Sequence, residues 1–387
     1  MSPILKNNYS KLPAIPTSIF ATMSHLANEQ NAINLSQGFP NFPVSKELID
    51  LVVKAMNAGY NQYSPMPGII ELREIIAEKM YNLYGTTYDP ENEITITPGA
   101  TEAIYGIISA FVAKDDEVII FAPAYDCYDP TIRLNGGKTI EIEMKGPLYK
   151  VDWENVKASI SNKTKMIIIN TPHNPTGTVL SESDMQTLED LVKETNIIIL
   201  SDEVYEHIIY DGLEHQSVSR FKGLEERSFI VASFGKTFHS TGWKMGYCVA
   251  PKELMAEFRK THQFIVFSAN HPIQRALATY MKHPKNYLEL PDFYQTKRDF
   301  FLDAIKGSKF TSIPSKGTYF QLLSYKGITD ENDFDFAIRL TKEKKIASIP
   351  ISVFYKEKID NKMLRFCFAK EERTLSKAAE ILNQISG

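Results

Sequence analysis

Five short runs rich in β-branched residues, each followed by turn-forming residues, constrain the fold of this 387-residue chain more than any other feature. Such runs are typical of strands that are buried on both faces of a sheet. They occupy residues 93–99, 117–123, 165–172, 196–203 and 228–235. Several of the segments between them have a helical period, as in residues 181–195, where Ser181 and Asp184 form a capping-box-like start. Alternating strands and helices predict a mainly parallel sheet with helices on both sides, because parallel strands need crossover connections.

The two ends of the chain have a different pattern, which predicts a second, smaller domain. Residues 1–40 are rich in Pro and Asn with little periodicity, whereas residues 285–387 mix helices with a few strands in an α+β pattern. We therefore predict an α/β fold in three parts. They are an N-terminal arm that also contributes to the small domain (1–40), a large α/β domain (41–284) and a C-terminal small domain (285–387).

Charge and hydropathy argue against several classes of partner. The chain has 43 Lys and Arg residues against 47 Asp and Glu residues, a formal net charge of -4. This balance gives no basic field for nucleic acid or for an anionic membrane surface. The N-terminus has no continuous apolar segment, and no later stretch reaches the roughly 18 apolar residues of a membrane span. We expect a cytoplasmic protein without nucleic-acid or membrane partners.

Cysteine and histidine spacing predicts neither a metal site nor a disulfide framework. Cys127, Cys248 and Cys367 are odd in number and far apart in the sequence, so we expect reduced structural thiols. The eight histidines form no HExxH pattern and no paired spacing with cysteine. The sequence therefore predicts no bound metal.

Unusual polar segments follow the predicted strands, at the carboxyl ends where open α/β sheets bind ligands. They read TPGATEAIYG (97–106), APAYDCY (122–128), NTPHNPTG (170–177), SDEVYEH (201–207) and SFGKTFHSTGWKMGY (233–247). In the first, a helix that begins at Ala100 and Thr101 after a Gly turn offers free backbone N–H groups and a positive dipole end, which suit a phosphate. In the fourth, an acid at the end of a buried strand needs a partner, because an unpaired buried carboxylate is costly.

In order and in sequence, these segments resemble those of the aspartate aminotransferase superfamily, the class I and II aminotransferases of fold type I. The resemblance runs from SQGFPNFP (36–43) to LRFCFAK (364–370), which is essentially the whole chain. It implies a pyridoxal 5'-phosphate enzyme that moves amino groups between amino acids and 2-oxo acids, and that works as a homodimer. The segments look most like the kynurenine and glutamine transaminase branch, and within it like bacterial methionine aminotransferases. Lys244, where many members of the superfamily carry Arg, is typical of this branch.

The resemblance also implies the residues that bind the cofactor. Lys236 would carry it as an imine and serve as the general base of the reaction. Asp202 would face the pyridine nitrogen and keep the ring protonated, and Tyr205 would hydrogen-bond the phenolic oxygen. The other cofactor residues implied in this way are Gly99, Ala100, Thr101, Ser233 and Lys244 at the phosphate, Tyr125 stacked on the ring, Asn174 at the phenolic oxygen, and Tyr63, which crosses to the partner subunit's phosphate.

A further set of residues is implied for the substrate. Arg365 lies in an otherwise apolar run, and its planar fork matches the α-carboxylate of an amino acid. The remaining substrate residues are Gly38 and Asn174 near that carboxylate, and Ile19, Phe267 and Phe354 around the side chain. Such an apolar pocket favours methionine or aromatic donors over aspartate. Kynurenine-type enzymes of this branch tend to carry Trp near the position of Ile19. The smaller Ile leaves a wider pocket, which suits the flexible thioether side chain of methionine.

Other functions are compatible with parts of this pattern. A carbon–sulfur lyase on the same fold uses the same lysine and the same cofactor contacts, so the motifs separate the two poorly, and a kynurenine or glutamine transaminase remains open. A ligand sensor within a transcription regulator would need a basic DNA-binding module ahead of residue 40, where we expect no room for one. A nicotinamide dehydrogenase lacks its GxGxxG fingerprint after every predicted strand.

Overall fold

A computed structural model describes residues 10–13 and 15–385 of the chain. In this part of the chain the strands are β1 (Ile33–Asn34), β2 (Ile94–Thr97), β3 (Glu117–Ala122), β4 (Lys138–Glu143), β5 (Thr164–Asn170), β6 (Ile198–Asp202), β7 (Ser228–Ser233), β8 (Gly246–Val249), β9 (Phe320–Ser324), β10 (Ile346–Ala347), β11 (Ile349–Pro350) and β12 (Met363–Cys367). The α-helices are α1 (Ile19–Glu29), α2 (Lys46–Asn57), α3 (Ile70–Tyr84), α4 (Ala100–Phe111), α5 (Tyr128–Leu134), α6 (Trp153–Ser159), α7 (Glu182–Val192), α8 (Lys222–Glu225), α9 (Phe234–Thr237), α10 (Lys252–Ile265), α11 (His271–Tyr280), α12 (Lys285–Leu288), α13 (Leu290–Ala304), α14 (Asp333–Lys344) and α15 (Glu372–Asn383). Every helix in the described residues is too short or too polar to cross a membrane.

The largest sheet contains seven strands in the order β2-β8-β7-β6-β5-β3-β4. The pairs from β7 to β4 are parallel, whereas β8 runs antiparallel to both of its neighbours. All five β-branched runs of the sequence form strands of this sheet, as β2, β3, β5, β6 and β7. The predicted α/β fold with a mainly parallel sheet is therefore confirmed.

Burial on both faces explains why these strands have continuous apolar runs. In β3, Ile119 and Phe121 belong to one hydrophobic cluster, while Val118 and Ile120 belong to another on the opposite face. Successive side chains of a strand point to opposite faces, so a strand covered on both sides has no polar face. Phe258 of α10 belongs to the second cluster, and α10 packs against α4.

Local signals place the helices between these strands. The helix α7 begins as predicted: Ser181 accepts a hydrogen bond from the Asp184 backbone N–H, and the Asp184 side chain accepts one from the Ser181 backbone N–H. The helix α4 begins directly after Gly99, whose φ of 82° lies in the left-handed region that favours glycine. That turn fixes where the first free N–H groups of α4 lie.

A second, smaller sheet forms from the C-terminal part of the chain. Its order is β11-β12-β9, with antiparallel pairs that place Arg365 opposite both Ile349 and Leu322. The strand β1 pairs in parallel with β10, in the register of Ile33 with Ile346, so an N-terminal segment lies against the C-terminal part of the chain. The predicted domain limits at residues 40 and 284 stay a prediction, and residues 1–9 and 14 of the predicted arm lie outside the described residues.

Candidate active site

The carboxyl ends of the parallel strands border a cavity of about 170 Å³. Asn170 ends β5, Asp202 ends β6 and Ser233 ends β7, so three neighbouring strands present polar residues at one edge of the sheet. All predicted cofactor residues except Tyr63 line this cavity, namely Gly99, Ala100, Thr101, Tyr125, Asn174, Asp202, Tyr205, Ser233, Lys236 and Lys244. A larger groove of about 820 Å³ runs between residues 146–151 and 311–316, and none of the predicted site residues lines it.

One end of the cavity has the features of a phosphate site. Gly99 caps α4 without a side-chain hydrogen bond, which leaves the first backbone N–H groups of the helix free for an anion. A Cβ built on Gly99 would lie 3.6 Å from the Lys244 ammonium nitrogen. A Cβ on Gly246 would lie 2.7 Å from the Ala232 carbonyl oxygen and 2.9 Å from the Ala100 nitrogen, so the chains can approach here only because this residue is glycine.

Lys236 lies in the short helix α9, directly after β7, and its side chain is partly buried. Its Nζ donates to the Gly38 carbonyl oxygen at 3.0 Å and to the Tyr319 hydroxyl at 2.9 Å. Burial lowers the pKa of Lys236 to about 8, since removal from water disfavours the charged form. In the described part of the chain no carboxylate forms an ion pair with this amine, so it is poised to be a base or a nucleophile.

Asp202 ends β6 with its side chain buried and hydrogen-bonded. One carboxylate oxygen accepts from the Tyr128 hydroxyl at 2.5 Å, and the other accepts from the Val204 N–H at 3.3 Å. Burial raises the pKa of Asp202 to about 6, and the carboxyl group is therefore mostly ionised at neutral pH. A protonated ring nitrogen facing this carboxylate would lower its pKa again.

Arg365 of β12 is completely buried and has an incomplete set of partners. It donates to the Asn174 side-chain oxygen at 2.7 Å and to the Ser36 carbonyl oxygen at 3.0 Å, whereas its Nε has no hydrogen-bond partner. Its guanidinium lies 3.8 Å from the ring centre of Phe320. Burial lowers the pKa of Arg365 to about 10, and no described carboxylate pairs with it. A buried cation of this kind favours an anionic ligand.

Asn174 connects this arginine to the cavity. Its backbone N–H donates to the Asn170 side-chain oxygen at 2.8 Å, which fixes the turn after β5. Because arginine can only donate, the contact with Arg365 must use the Asn174 oxygen. The amide NH₂ of Asn174 is therefore left to donate into the cavity.

The predicted side-chain pocket is only partly assembled within one chain. Ile19 begins α1, and the neighbouring Phe20 packs 6.0 Å from Phe354, both within 6 Å of the Arg365 guanidinium. Phe267 lies apart from this group. It is half exposed and packs edge-to-face against Tyr63, with ring centres 5.3 Å apart.

Gly38 lies beside Lys236 and Tyr319. A Cβ on Gly38 would lie 2.8 Å from the Phe320 ring, which explains the need for glycine. Its carbonyl oxygen accepts from both Lys236 and Tyr319. The family resemblance implies that this backbone approaches the substrate carboxylate, whereas its hydrogen bond to the amine was not predicted.

Two tyrosines in the site were not predicted from the sequence. Tyr128 donates to Asp202, and its ring packs edge-to-face on Tyr125 at 5.8 Å. Tyr319 contacts Lys236 from the segment before β9. The signal for Tyr128 was its place in YDCY, three residues after Tyr125, whereas GTYF carries Tyr319 in a segment where an aromatic residue normally indicates a core position.

The fold and this cavity together define a class of enzyme, the pyridoxal-phosphate-dependent enzymes of fold type I. A helix N-terminus with a lysine at one end, a buried carboxylate at the strand ends and an amine that pairs with no described carboxylate fit the phosphate, the ring nitrogen and the aldehyde of that cofactor. In the described residues no group of three or more His, Cys, Asp or Glu could hold a metal ion.

Comparison with known proteins gives the family. Residues 30–382 match the model of the aminotransferase class I and II family, and the chain belongs to that family. It is 46% identical over 377 residues to the methionine aminotransferase of Escherichia coli K12, which covers 97% of this chain and 98% of the relative. It is 34% identical to the kynurenine–oxoglutarate transaminase of Dictyostelium discoideum, covering 94% of this chain and 93% of that protein.

Solved structures agree with this assignment. An Escherichia coli protein with methionine aminotransferase function superposes with a TM-score of 0.95 and 46% identity, covering 97% of this chain and 99% of that chain. An aspartate aminotransferase variant of Thermus thermophilus superposes with a TM-score of 0.89 and 27% identity, covering 97% of this chain and 99% of that one. The predictions of a pyridoxal-phosphate-dependent aminotransferase and of its superfamily are confirmed.

Proposed function

We propose that this aminotransferase takes its amino group from methionine and from aromatic amino acids, and that Lys236 binds its cofactor. One observation carries the proposal. A partly buried amine at Lys236 and a buried guanidinium at Arg365 lie at one cavity and its margin, and neither forms an ion pair within residues 10–13 and 15–385. The first suits an aldehyde and the second suits the carboxylate of an amino acid.

The residues around the cavity divide the chemistry among them. Bound pyridoxal phosphate supplies an aldehyde that exchanges amino groups and a ring that accepts electrons. Lys236 takes the α-proton of the substrate as general base and returns it in the second part of the half-reaction. Asp202, held by Tyr128, would pair with the pyridine nitrogen of the bound cofactor and favour its protonated form. Tyr205 and the free amide NH₂ of Asn174 line the cavity and would donate to the phenolic oxygen of the cofactor.

The other cofactor contacts follow from the placement of residues at the phosphate end. Gly99, Ala100 and Thr101 offer the N–H groups of the α4 N-terminus, and Ser233 and Lys244 line the same cavity. Tyr125 covers one side of the ring, and burial keeps its hydroxyl protonated by raising its pKa. These roles are the ones that the family resemblance implies.

The substrate side-chain site supports an apolar donor. Phe20 and Phe354 pack beside Arg365, so the atoms beyond the α-carboxylate would meet aromatic carbon and Ile19. Asp126 lies at the edge of this region, where its carboxylate accepts from the Ser18 hydroxyl at 3.4 Å. A second carboxylate on the substrate would face this negative charge, which disfavours aspartate and glutamate as donors.

A panel of amino donors tests the substrate preference. We expect kcat/KM for methionine and phenylalanine to exceed that for aspartate by roughly 100-fold, about 3 kcal/mol, because an unpaired charge must enter an apolar site. The bleaching of the cofactor absorbance by each donor, without an oxo acid, gives the half-reaction directly. The Asp126→Asn variant keeps the size of the side chain and removes its charge. It should therefore reduce the ratio of kcat/KM for methionine to kcat/KM for aspartate.

Two results of the same panel would count against the proposal. Faster bleaching by aspartate than by methionine would overturn the donor preference. Release of pyruvate and ammonia from a cysteine conjugate, in the absence of an oxo acid, would favour the carbon–sulfur lyase.

We also propose a homodimer in which Tyr63 reaches the cofactor phosphate of the partner. Tyr63 is 81% exposed and Phe264 is 86% exposed, and the half-exposed Phe267 lies against Tyr63. Exposed aromatic groups that adjoin one another typically mark a protein interface. A second copy of this chain would cover them and would complete the side-chain pocket with Phe267.

Solution mass and cofactor affinity test the dimer. Light scattering should give twice the 43.9 kDa of one chain. The Tyr63→Phe variant should raise the Kd of the cofactor about tenfold by removing one hydrogen bond to phosphate. Tyr81→Phe, at an exposed tyrosine of α3, is the matched control and should leave the Kd unchanged. A monomeric mass at working concentration would contradict the proposal.

A cytoplasmic location completes the proposed function. Cys127, Cys248 and Cys367 are free thiols, as expected in a reducing compartment. Recovery of the protein in the periplasmic or extracellular fraction of its cells would contradict this inference.

A further inference from the structure

The hydroxyl of Tyr319 touches the amine that the reaction uses. Tyr319 is completely buried, and its oxygen lies 2.9 Å from the Lys236 Nζ, from which it accepts a hydrogen bond. It donates its own proton to the Gly38 carbonyl oxygen at 2.6 Å. Lys236 also donates to that carbonyl at 3.0 Å, so the three polar atoms form a closed triangle.

The surroundings of Tyr319 hold its hydroxyl in this position. Its ring packs edge-to-face on Tyr205 at 5.2 Å and lies 5.7 Å from the ring of Tyr294. The preceding Thr318 has a φ of 63°, a conformation that β-branched residues rarely adopt. The Tyr210 hydroxyl donates to the Thr318 carbonyl oxygen and stabilises this turn. Strained backbone of this kind is expected where a side chain must be aimed at a site.

We propose that Tyr319 is a further catalytic residue, whose hydroxyl contacts the reacting amine of Lys236 and sets how readily that amine takes up a proton. The inference rests on the proposed role of Lys236. In each half-reaction that amine must be released, accept the α-proton and give it back. A hydroxyl that accepts from the amine stabilises its protonated form, and a stronger base removes a carbon-bound proton faster.

Several groups act on the proton affinity of this amine. Burial, Arg365 and Lys244 disfavour the ammonium form, whereas Asp202 favours it. Tyr319 and the Gly38 carbonyl are the two hydrogen-bond acceptors of the amine in the described residues. The balance gives Lys236 a pKa of about 8, and loss of one acceptor should lower it further.

The Tyr319→Phe variant tests the proposal, because it keeps the ring and removes the acceptor. The enzyme is loaded with the aminated form of the cofactor, which leaves the Lys236 amine unbound. Acetic anhydride then labels that amine in proportion to its neutral fraction, and mass spectrometry follows the labelling as a function of pH. We expect the midpoint to fall by about one pH unit, which corresponds to the loss of one hydrogen bond to a charged group.

Kinetics of the methionine half-reaction give a second readout. The acid limb of the pH profile should shift down by the same amount, and the rate at the plateau should fall by up to about tenfold because the amine is a weaker base. The matched control is Tyr294→Phe, which removes a buried hydroxyl that has no hydrogen-bond partner. This control should change neither the labelling midpoint nor the plateau rate.

The outcomes distinguish a failure of the proposed role of Tyr319 from a failure of the proposed role of Lys236. An unchanged midpoint in Tyr319→Phe, or an equal shift in Tyr294→Phe, would overturn the role of Tyr319. Full turnover by Lys236→Ala would instead overturn the proposed function on which it rests. Should Tyr319→Phe not fold, Tyr319→3-fluorotyrosine keeps the shape and weakens the acceptor, so it should give a smaller shift in the same direction, and the absence of any shift would overturn the role.

Discussion

The Lys236→Ala variant is expected to lose at least about a thousandfold in turnover while the fold stays intact, since a positioned general base alone contributes 10²–10⁴-fold. The variant removes both the base and the covalent attachment of the cofactor. Its effect on folding should be small. The amine makes two hydrogen bonds, to Gly38 and Tyr319, and those two groups remain bonded to each other without it.

Three measurements on this variant separate chemistry from folding. Steady-state transamination of methionine gives the loss of turnover, the absorbance retained after dialysis gives the bound cofactor, and thermal unfolding gives the stability. Lys297→Ala is a suitable control, because Lys297 is also partly buried but donates to the Lys370 carbonyl oxygen outside the cavity. Normal steady-state transamination by Lys236→Ala would refute the assignment of the reacting amine.

The sequence predicts the central sheet well because its strands obey a local rule. Each of the five β-branched runs lies in a strand covered on both faces, so burial alone makes the run continuous. The strand β4 was missed, since KTIEIE alternates apolar and polar residues at an edge of the sheet. The antiparallel direction of β8 was missed too, because GYCV carries no local sign of which strands will flank it.

The residues of the candidate site were predicted from the order of motifs along the chain and not from a local pattern of burial. Motif order predicted the residues that line the cavity, and the structure brings all of the predicted cofactor residues together except Tyr63. What the sequence did not predict are the contacts between segments distant in the chain. Asn174 meets Arg365 across 191 positions, and Tyr319 meets Lys236 across 83. Such contacts depend on how the two sheets pack, which no local pattern encodes.

A buried ion pair behind the site was also not predicted from the sequence, although one of its two residues, Glu206, lies in the segment SDEVYEH. Glu206 directly follows Tyr205 and pairs with Lys79 of α3, with both side chains almost completely buried. The Glu206 carboxylate also accepts from the Tyr84 hydroxyl at 2.6 Å and from the Tyr247 hydroxyl at 3.1 Å. The network therefore connects α3 and β8 to the segment that carries Tyr205.

Removal of the lysine from this pair should destabilise the fold. We expect Lys79→Met to lower the free energy of unfolding at pH 7 by about 3–5 kcal/mol, because it leaves a carboxylate buried without its cation. The double variant Lys79→Met with Glu206→Gln removes both charges and keeps an acceptor for the two tyrosines. It should therefore be more stable than the single variant. Urea unfolding at fixed protein and cofactor concentrations measures the free energy of unfolding of the unaltered protein, the single variant and the double variant.

The stability loss of Lys79→Met should depend on pH in a direction that identifies its cause. In the unaltered protein, Lys79 holds the pKa of Glu206 well below its usual range, so the pair stabilises the fold above the ordinary glutamate pKa and loses that contribution as the pH falls below it. Without Lys79, burial would instead raise the pKa of Glu206. A proton taken up by Glu206, or by the adjacent His207, then relieves the unpaired charge. The deficit of Lys79→Met should accordingly be smaller at pH 5 than at pH 7, and an equal deficit at both would show that the lost stability does not come from the buried charge.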